Sequence, residues 1–90
     1  MEAPLNDITE LAKLFFTPKQ IAIILELDPD EFATRCNIEG TPEYSAFYRG
    51  QLISEKDLRE KILLLASQGS SPAQSMALDM LKKLKMQMVN

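Results

Sequence analysis

The stretch Thr17-Pro18-Lys19-Gln20-Ile21-Ala22-Ile23-Ile24-Leu25-Glu26-Leu27-Asp28-Pro29-Asp30-Glu31-Phe32 decides the fold. It contains two helix starts eleven residues apart. Proline suits the first helical position, where its missing N–H is not needed and its fixed φ is already helical. The Thr or Asp before it offers an oxygen to the free N–H groups of the first turn. Gln20 and Glu31 each follow their cap by three residues, which is the capping-box spacing. Two short helices, Pro18 to about Glu26 and Pro29 to about Cys36, with Leu27 in the turn, have the spacing of a helix-turn-helix. Ala22 is small enough for the helix crossing, and Ile21, Leu25, Leu27 and Phe32 are placed to pin the pair together. The turn position that is usually glycine holds Glu26.

The same punctuation recurs at Thr41-Pro42 and Ser71-Pro72, the latter with Gln74 completing the box. Upstream, Asn6 or Asp7 is positioned to cap a first helix running to about Phe16, with Ile8, Leu11, Ala12 and Phe15 on its apolar face. In the second helix Ile21, Ala22, Ile24 and Leu25 are expected inward, and in the third Phe32, Ala33 and Cys36. Asn37-Ile38-Glu39-Gly40 reads as a loop. From Pro42 the pattern allows one helix to Gln68 with a close-packed Gly50, or a break near Gln51–Ser54, where Ser54-Glu55-Lys56-Asp57 would start a fresh helix. The continuous helix is the favoured form, ended by Gly69. Tyr44, Phe47 and Tyr48 lie at its start, and Leu58, Ile62, Leu65 and Ala66 form a stripe near its end. A last helix runs from Pro72 to about Met88, its stripe made by Ala73, Met76, Ala77, Met80, Leu81, Leu84 and Met88. No segment alternates as a strand. The expected fold is therefore all-α: an N-terminal helix-turn-helix, a long helix and a C-terminal antiparallel helix. Residues 1–90 are expected to form one domain, with a helix-turn-helix part at 7–37 and a helical hairpin at 42–88.

Composition narrows the function. The 90 residues include no His and one cysteine, Cys36, so a Cys/His zinc site, a histidine base and an internal disulfide are all excluded. There is no glycine-rich phosphate loop and no ligand cluster, and no enzyme, metal or cofactor is expected. Asp28, Asp30 and Glu31 read as helix-start acids, Ser70-Ser71 as capping residues, and Cys36 as a small buried hydrophobe. No apolar run approaches the roughly 20 residues of a membrane span, and no basic segment leads into an apolar one at the N-terminus, so the cytoplasm is the expected location. Charge is uneven: residues 1–48 carry nine acids and three bases, residues 49–90 four acids and seven bases. Any contact with double-stranded DNA must then be local and weak, or multiplied by assembly. Thr34, Arg35 and Asn37 are the candidate groove readers, and Arg49, Lys56, Arg59 and Lys61 the candidate backbone contacts. Glu55–Arg59 and Asp57–Lys61 also have the acid-first i, i+4 order that supports a solvated helix. Methionine adapts to interaction surfaces as well as cores, which makes Met76, Met80, Leu84 and Met88 the candidate oligomerisation stripe of a homo-oligomer.

Three segments together carry a resemblance. They are Ile21-Ala22-Ile23-Ile24-Leu25-Glu26-Leu27, Tyr48-Arg49-Gly50, and Leu65-Ala66-Ser67-Gln68-Gly69-Ser70-Ser71-Pro72-Ala73. Over roughly residues 17–85 the chain resembles the small terminase subunits of tailed phages and prophages. Its helix-turn-helix opening and its hydrophobic-A-x-x-G-x-x-x-A junction match that family's pattern, and Tyr48-Arg49-Gly50 resembles the family's Y-x-x-G element with one residue fewer. The resemblance implies a non-catalytic component of viral genome packaging in the host cytoplasm. Such a protein recognises viral DNA, assembles into rings and hands DNA to a large ATPase-nuclease subunit. Two other readings remain open: a helical interaction or virion component without DNA binding, and a helix-turn-helix transcription regulator.

Overall fold

A computed structural model describes residues 4–88. Among them are five helices and no strand: α1 (Leu5–Ala12), α2 (Pro18–Ile24), α3 (Pro29–Cys36), α4 (Pro42–Ser67) and α5 (Ser71–Met88). They group into two compact units, one up to Glu55 and one from Lys56, with the boundary inside the unbroken α4.

The first unit holds the hydrophobic core. Ile8, Ala12, Ile21, Ala22, Phe32, Cys36, Ala46 and Phe47 are buried together, with Leu11, Phe16, Leu25 and Leu27 packed against them. The α2–α3 arrangement is helix-turn-helix-like. At the start of α2 the Thr17 hydroxyl accepts from the Gln20 N–H at 3.2 Å, and the Gln20 side chain accepts from the Thr17 N–H at 2.9 Å, a complete capping box. The Asp28 carboxylate accepts from the Glu31 N–H at 3.0 Å to open α3. Between them the Leu27 N–H reaches back to the Ala22 carbonyl at 2.8 Å and the Glu26 N–H to that of Ile23 at 3.3 Å. This is a Schellman closure with Glu26 at the position that normally takes glycine, and its φ is +59°.

Glycine is required at Gly50. A Cβ there would stand 2.2 Å from the Thr9 carbonyl oxygen and 2.8 Å from the Ala12 Cβ. The bare backbone lets α1 lie directly on α4. Two bonds accompany that approach: the Thr9 hydroxyl donates to the Ala46 carbonyl at 3.0 Å, and the Ser54 hydroxyl to that of Lys13 at 2.6 Å. Gly50 thus joins α1 to α4 and does not interrupt the helix, and Ser54 bonds to α1 within an unbroken helix.

Several local expectations are corrected. Pro4, not Asn6 or Asp7, stands at the start of α1, with no side-chain cap. That helix ends at Ala12 and not near Phe16, because the chain must turn before Pro18 and the residue preceding a proline is held extended. Phe15 adopts φ +64° and its side chain is exposed, while Phe16 takes the inward place. Ile24 is exposed as well, since it lies roughly a quarter turn off the face formed by Ile21, Ala22 and Leu25. The last cap is shifted by one residue. The Ser70 hydroxyl, not that of Ser71, accepts from the Ala73 N–H, and the Gln74 amide donates to the Ala66 carbonyl at 3.1 Å.

In the second unit, Gly69 at φ +96° ends α4 through a Schellman closure, with Ser70 N–H to Leu65 carbonyl and Gly69 N–H to Ala66 carbonyl, each 3.1 Å. The chain reverses there into α5. Ala73 is buried; Ile62, Ala66, Ala77 and Met80 are half-buried.

Candidate nucleic-acid interface and assembly surface

The residues singled out for DNA contact have different surroundings. Thr34 is exposed on α3, where its hydroxyl donates to the Asp30 carbonyl at 2.9 Å one turn back. Asn37 is the exposed C-cap of the same helix. Arg35 is committed elsewhere. Its guanidinium forms a forked ion pair with Glu43 at the start of α4, Nε to one carboxylate oxygen and the terminal nitrogen to the other at 3.3 Å. Glu43 is only 6% exposed. Its hydrogen bond with Arg35 holds its carboxyl below the usual carboxylate range, and the same bond raises the Arg35 guanidinium. Beside it the Cys36 thiol, buried and next to Glu43, is pushed up to about 11, so the thiol stays protonated as a core residue.

Thr41 completes this junction. Its hydroxyl is 2.8 Å from the Arg35 carbonyl and 3.0 Å from that of Ile38, both acceptors, and it accepts from the Tyr44 N–H at 3.1 Å. One side chain therefore closes the end of α3 and opens α4. The Arg35–Glu43 pair spans a loop and has no periodic signature, which is why it was not legible beforehand.

Arg49 is exposed on the first unit, while Lys56, Arg59 and Lys61 are exposed on the second. Lys56 pairs with Glu60, a contact that raises its pKa. The acids at the start of α3 stay at the surface, and Asp30 pairs with Lys19 of α2 at 3.5 Å. Among the described residues no group of His, Cys, Asp and Glu is placed to hold a metal ion, and no helix is long and apolar enough to cross a membrane.

The second unit is unusual in how much apolar surface it leaves open. Ten large apolar side chains of α4 and α5 are exposed there. On α4, Leu63, Leu64 and Leu65 are each about half exposed and point in three directions, as consecutive helical residues must. On α5, Met76, Leu84 and Met88 of the expected oligomerisation stripe are exposed, whereas Met80 is half-buried. Three consecutive leucines spread apolar surface around that turn of α4, more than the one packed neighbour covers.

Compared with known protein families, curated proteins and solved structures, the chain matches none. The chain is an all-helical protein with a helix-turn-helix-like first unit and, in the second, a helical pair with open apolar faces.

Proposed function

We propose that this chain is a non-enzymatic DNA-recognition component of viral genome packaging, of the small-terminase kind, acting as a homo-oligomer. The observation that carries the reading is the apolar second unit. Ten exposed large apolar side chains on one helical pair call for a covering surface, and assembly supplies it. The helix-turn-helix-like α2–α3 pair is the DNA-facing part. Thr34 and Asn37 reach base edges, and Arg49, Lys56, Arg59 and Lys61 supply phosphate contacts. Each copy contributes weak local binding, and the oligomer multiplies it. A large ATPase-nuclease subunit is the partner that would receive the DNA.

The test combines light scattering with a polarisation titration of duplex DNA across salt. The expected result is a defined oligomer whose DNA affinity falls as salt rises. Binding that is absent at low salt sinks the DNA assignment. One observation favours a second reading, a helical module that docks on another protein. The start of α3 carries Asp28, Asp30 and Glu31, and its one arginine is held by Glu43. That reading expects assembly with no DNA affinity at any salt.

A further inference from the structure

Phe15 is an exception in the first unit. It is a bulky residue in the left-handed region, φ +64°, a conformation disfavoured for any side chain with a Cβ. The ring it carries is 57% exposed. It lines a cleft of about 320 Å³ together with Thr17, Pro18, Phe47, Tyr48 and Gln51. Tyr48 is exposed as well. Its ring lies edge-on to Phe47, with centroids 5.3 Å apart, and tilted against Tyr44 at 4.7 Å, contacts that hold it in place while part of it stays open. The backbone is thus strained where an aromatic side chain is left in the open, and strain of this kind clusters at ligand-binding sites.

No charged side chain lines the cleft, and three cations border it. They are Lys13, Lys19 and Arg49, each the next residue after one that lines it. Arg49 is exposed and has no ion pair among the described residues. Lys13 meets Glu10 at 3.2 Å and Lys19 meets Asp30 at 3.5 Å. Pairs open to solvent contribute little and give way to a competing anion. Gln51 is half-buried on the cleft wall, and its amide has no hydrogen-bond partner among the described residues. The cleft therefore offers ring faces, one free amide and a cationic rim. The start of α3, by contrast, carries three acids, and its arginine is held by Glu43.

We propose that this cleft binds a single-stranded stretch of DNA, with a base stacked on the Phe15 and Tyr48 rings and the flanking phosphates on Arg49, Lys13 and Lys19. Every base has a π-face, so stacking takes an unpaired strand with little regard for sequence. A duplex keeps those faces covered and presents base edges, which are read by hydrogen bonds and not by rings. The Gln51 amide, donor and acceptor at once, is suited to the edge of the stacked base. A proline-rich segment also fits an aromatic cleft, but it would leave the three cations without a role. The site rests on the DNA reading above and adds an unpaired strand to it.

The chain has no Trp, and its two tyrosines are the contacting pair Tyr44 and Tyr48, so tyrosine emission reports on the cleft. Titrating the full chain with an oligo(dT) of about 12 nucleotides is expected to quench that emission, because a base stacked on Tyr48 quenches it. The complex is expected to be tighter than that with a duplex of the same length. Phe15→Gly removes the ring and relieves the backbone, so its fold is kept, which a thermal melt checks. It is expected to weaken the oligo(dT) complex about tenfold or more, with the salt slope unchanged. Arg49→Gln is expected to keep the quench and to flatten the salt slope by about 0.7, the loss of one phosphate contact. Single-strand binding that is absent, or equally strong in Phe15→Gly, overturns the cleft site, and duplex binding that persists alongside leaves the DNA reading standing. No binding of either form at low salt overturns both. A polyproline peptide that changes the tyrosine emission where oligo(dT) does not makes the cleft a protein-docking groove and overturns the proposal.

Discussion

Two residues of this chain occupy positions that the local rules would give to others. Glu26 sits at the C′ position of α2 with φ +59°, where glycine has no Cβ penalty. Glu26→Gly is expected to stabilise the fold by about 1 kcal/mol, read as a raised midpoint in a denaturant titration with unchanged slope. The opposite case is Gly50. Its Cβ would enter the space held by the Thr9 carbonyl, so Gly50→Ala forces α1 off α4 and strains the Thr9–Ala46 bond. A loss of about 3 kcal/mol is expected in the same titration, at the upper end for overpacking because the obstacle is backbone. The sequence marked Glu26 as an oddity and Gly50 as a close-packed candidate, since each breaks a local pattern. It did not mark Phe15, because an apolar residue at helical spacing reads as core until the chain's need to turn before Pro18 is weighed.

At the scale of elements, the helix starts were legible because capping is local chemistry: Thr17, Asp28 and Thr41 each accept the N–H three residues on. The junction between α3 and α4 was not, because it depends on a pair eight residues apart. Arg35 was read as a groove contact, and the structure spends its guanidinium on buried Glu43. This pairing has a pH consequence. The Glu43 carboxyl is held below its unfolded value, so its contribution to stability is complete above the unfolded pKa and is lost as pH falls through the lower folded value. Thermal melts between pH 7 and pH 3 are expected to show a falling midpoint on the acid side. In Arg35→Met the midpoint should already be lowered at pH 7, because the buried carboxylate has lost its partner. The acid-side fall should then flatten, since protonating an unpaired buried carboxylate no longer removes an ion pair. Should Arg35→Met match the wild type in both respects, the pair is no more than a surface contact.

For the whole molecule the decisive quantity is the difference between its two units in burial and in charge. The first keeps a continuous core; in the second, Ala73 is the one buried residue among those described. A pair of helices that buries so little is marginal by itself, since most helical stability in proteins comes from covering an apolar face. Part of the stability of α4 and α5 should therefore come from association and depend on concentration. Two kinds of contact would respond differently to salt. A purely apolar contact is little affected by moderate ionic strength, whereas opposite charges on facing surfaces are screened once the Debye length falls to a few ångströms. With a net of −6 up to Glu55 and +3 beyond it, copies that set a first unit against a second bring unlike charges together, and copies joined through like units bring equal signs together. Sedimentation velocity from 0.05 to 0.5 M NaCl is expected to show weakening assembly as salt rises. Changing Lys82 and Lys85 together to Gln should lower the affinity at low salt and remove most of that dependence. Assembly that strengthens with salt would instead place like-charged units, and so the apolar faces of two second units, against each other.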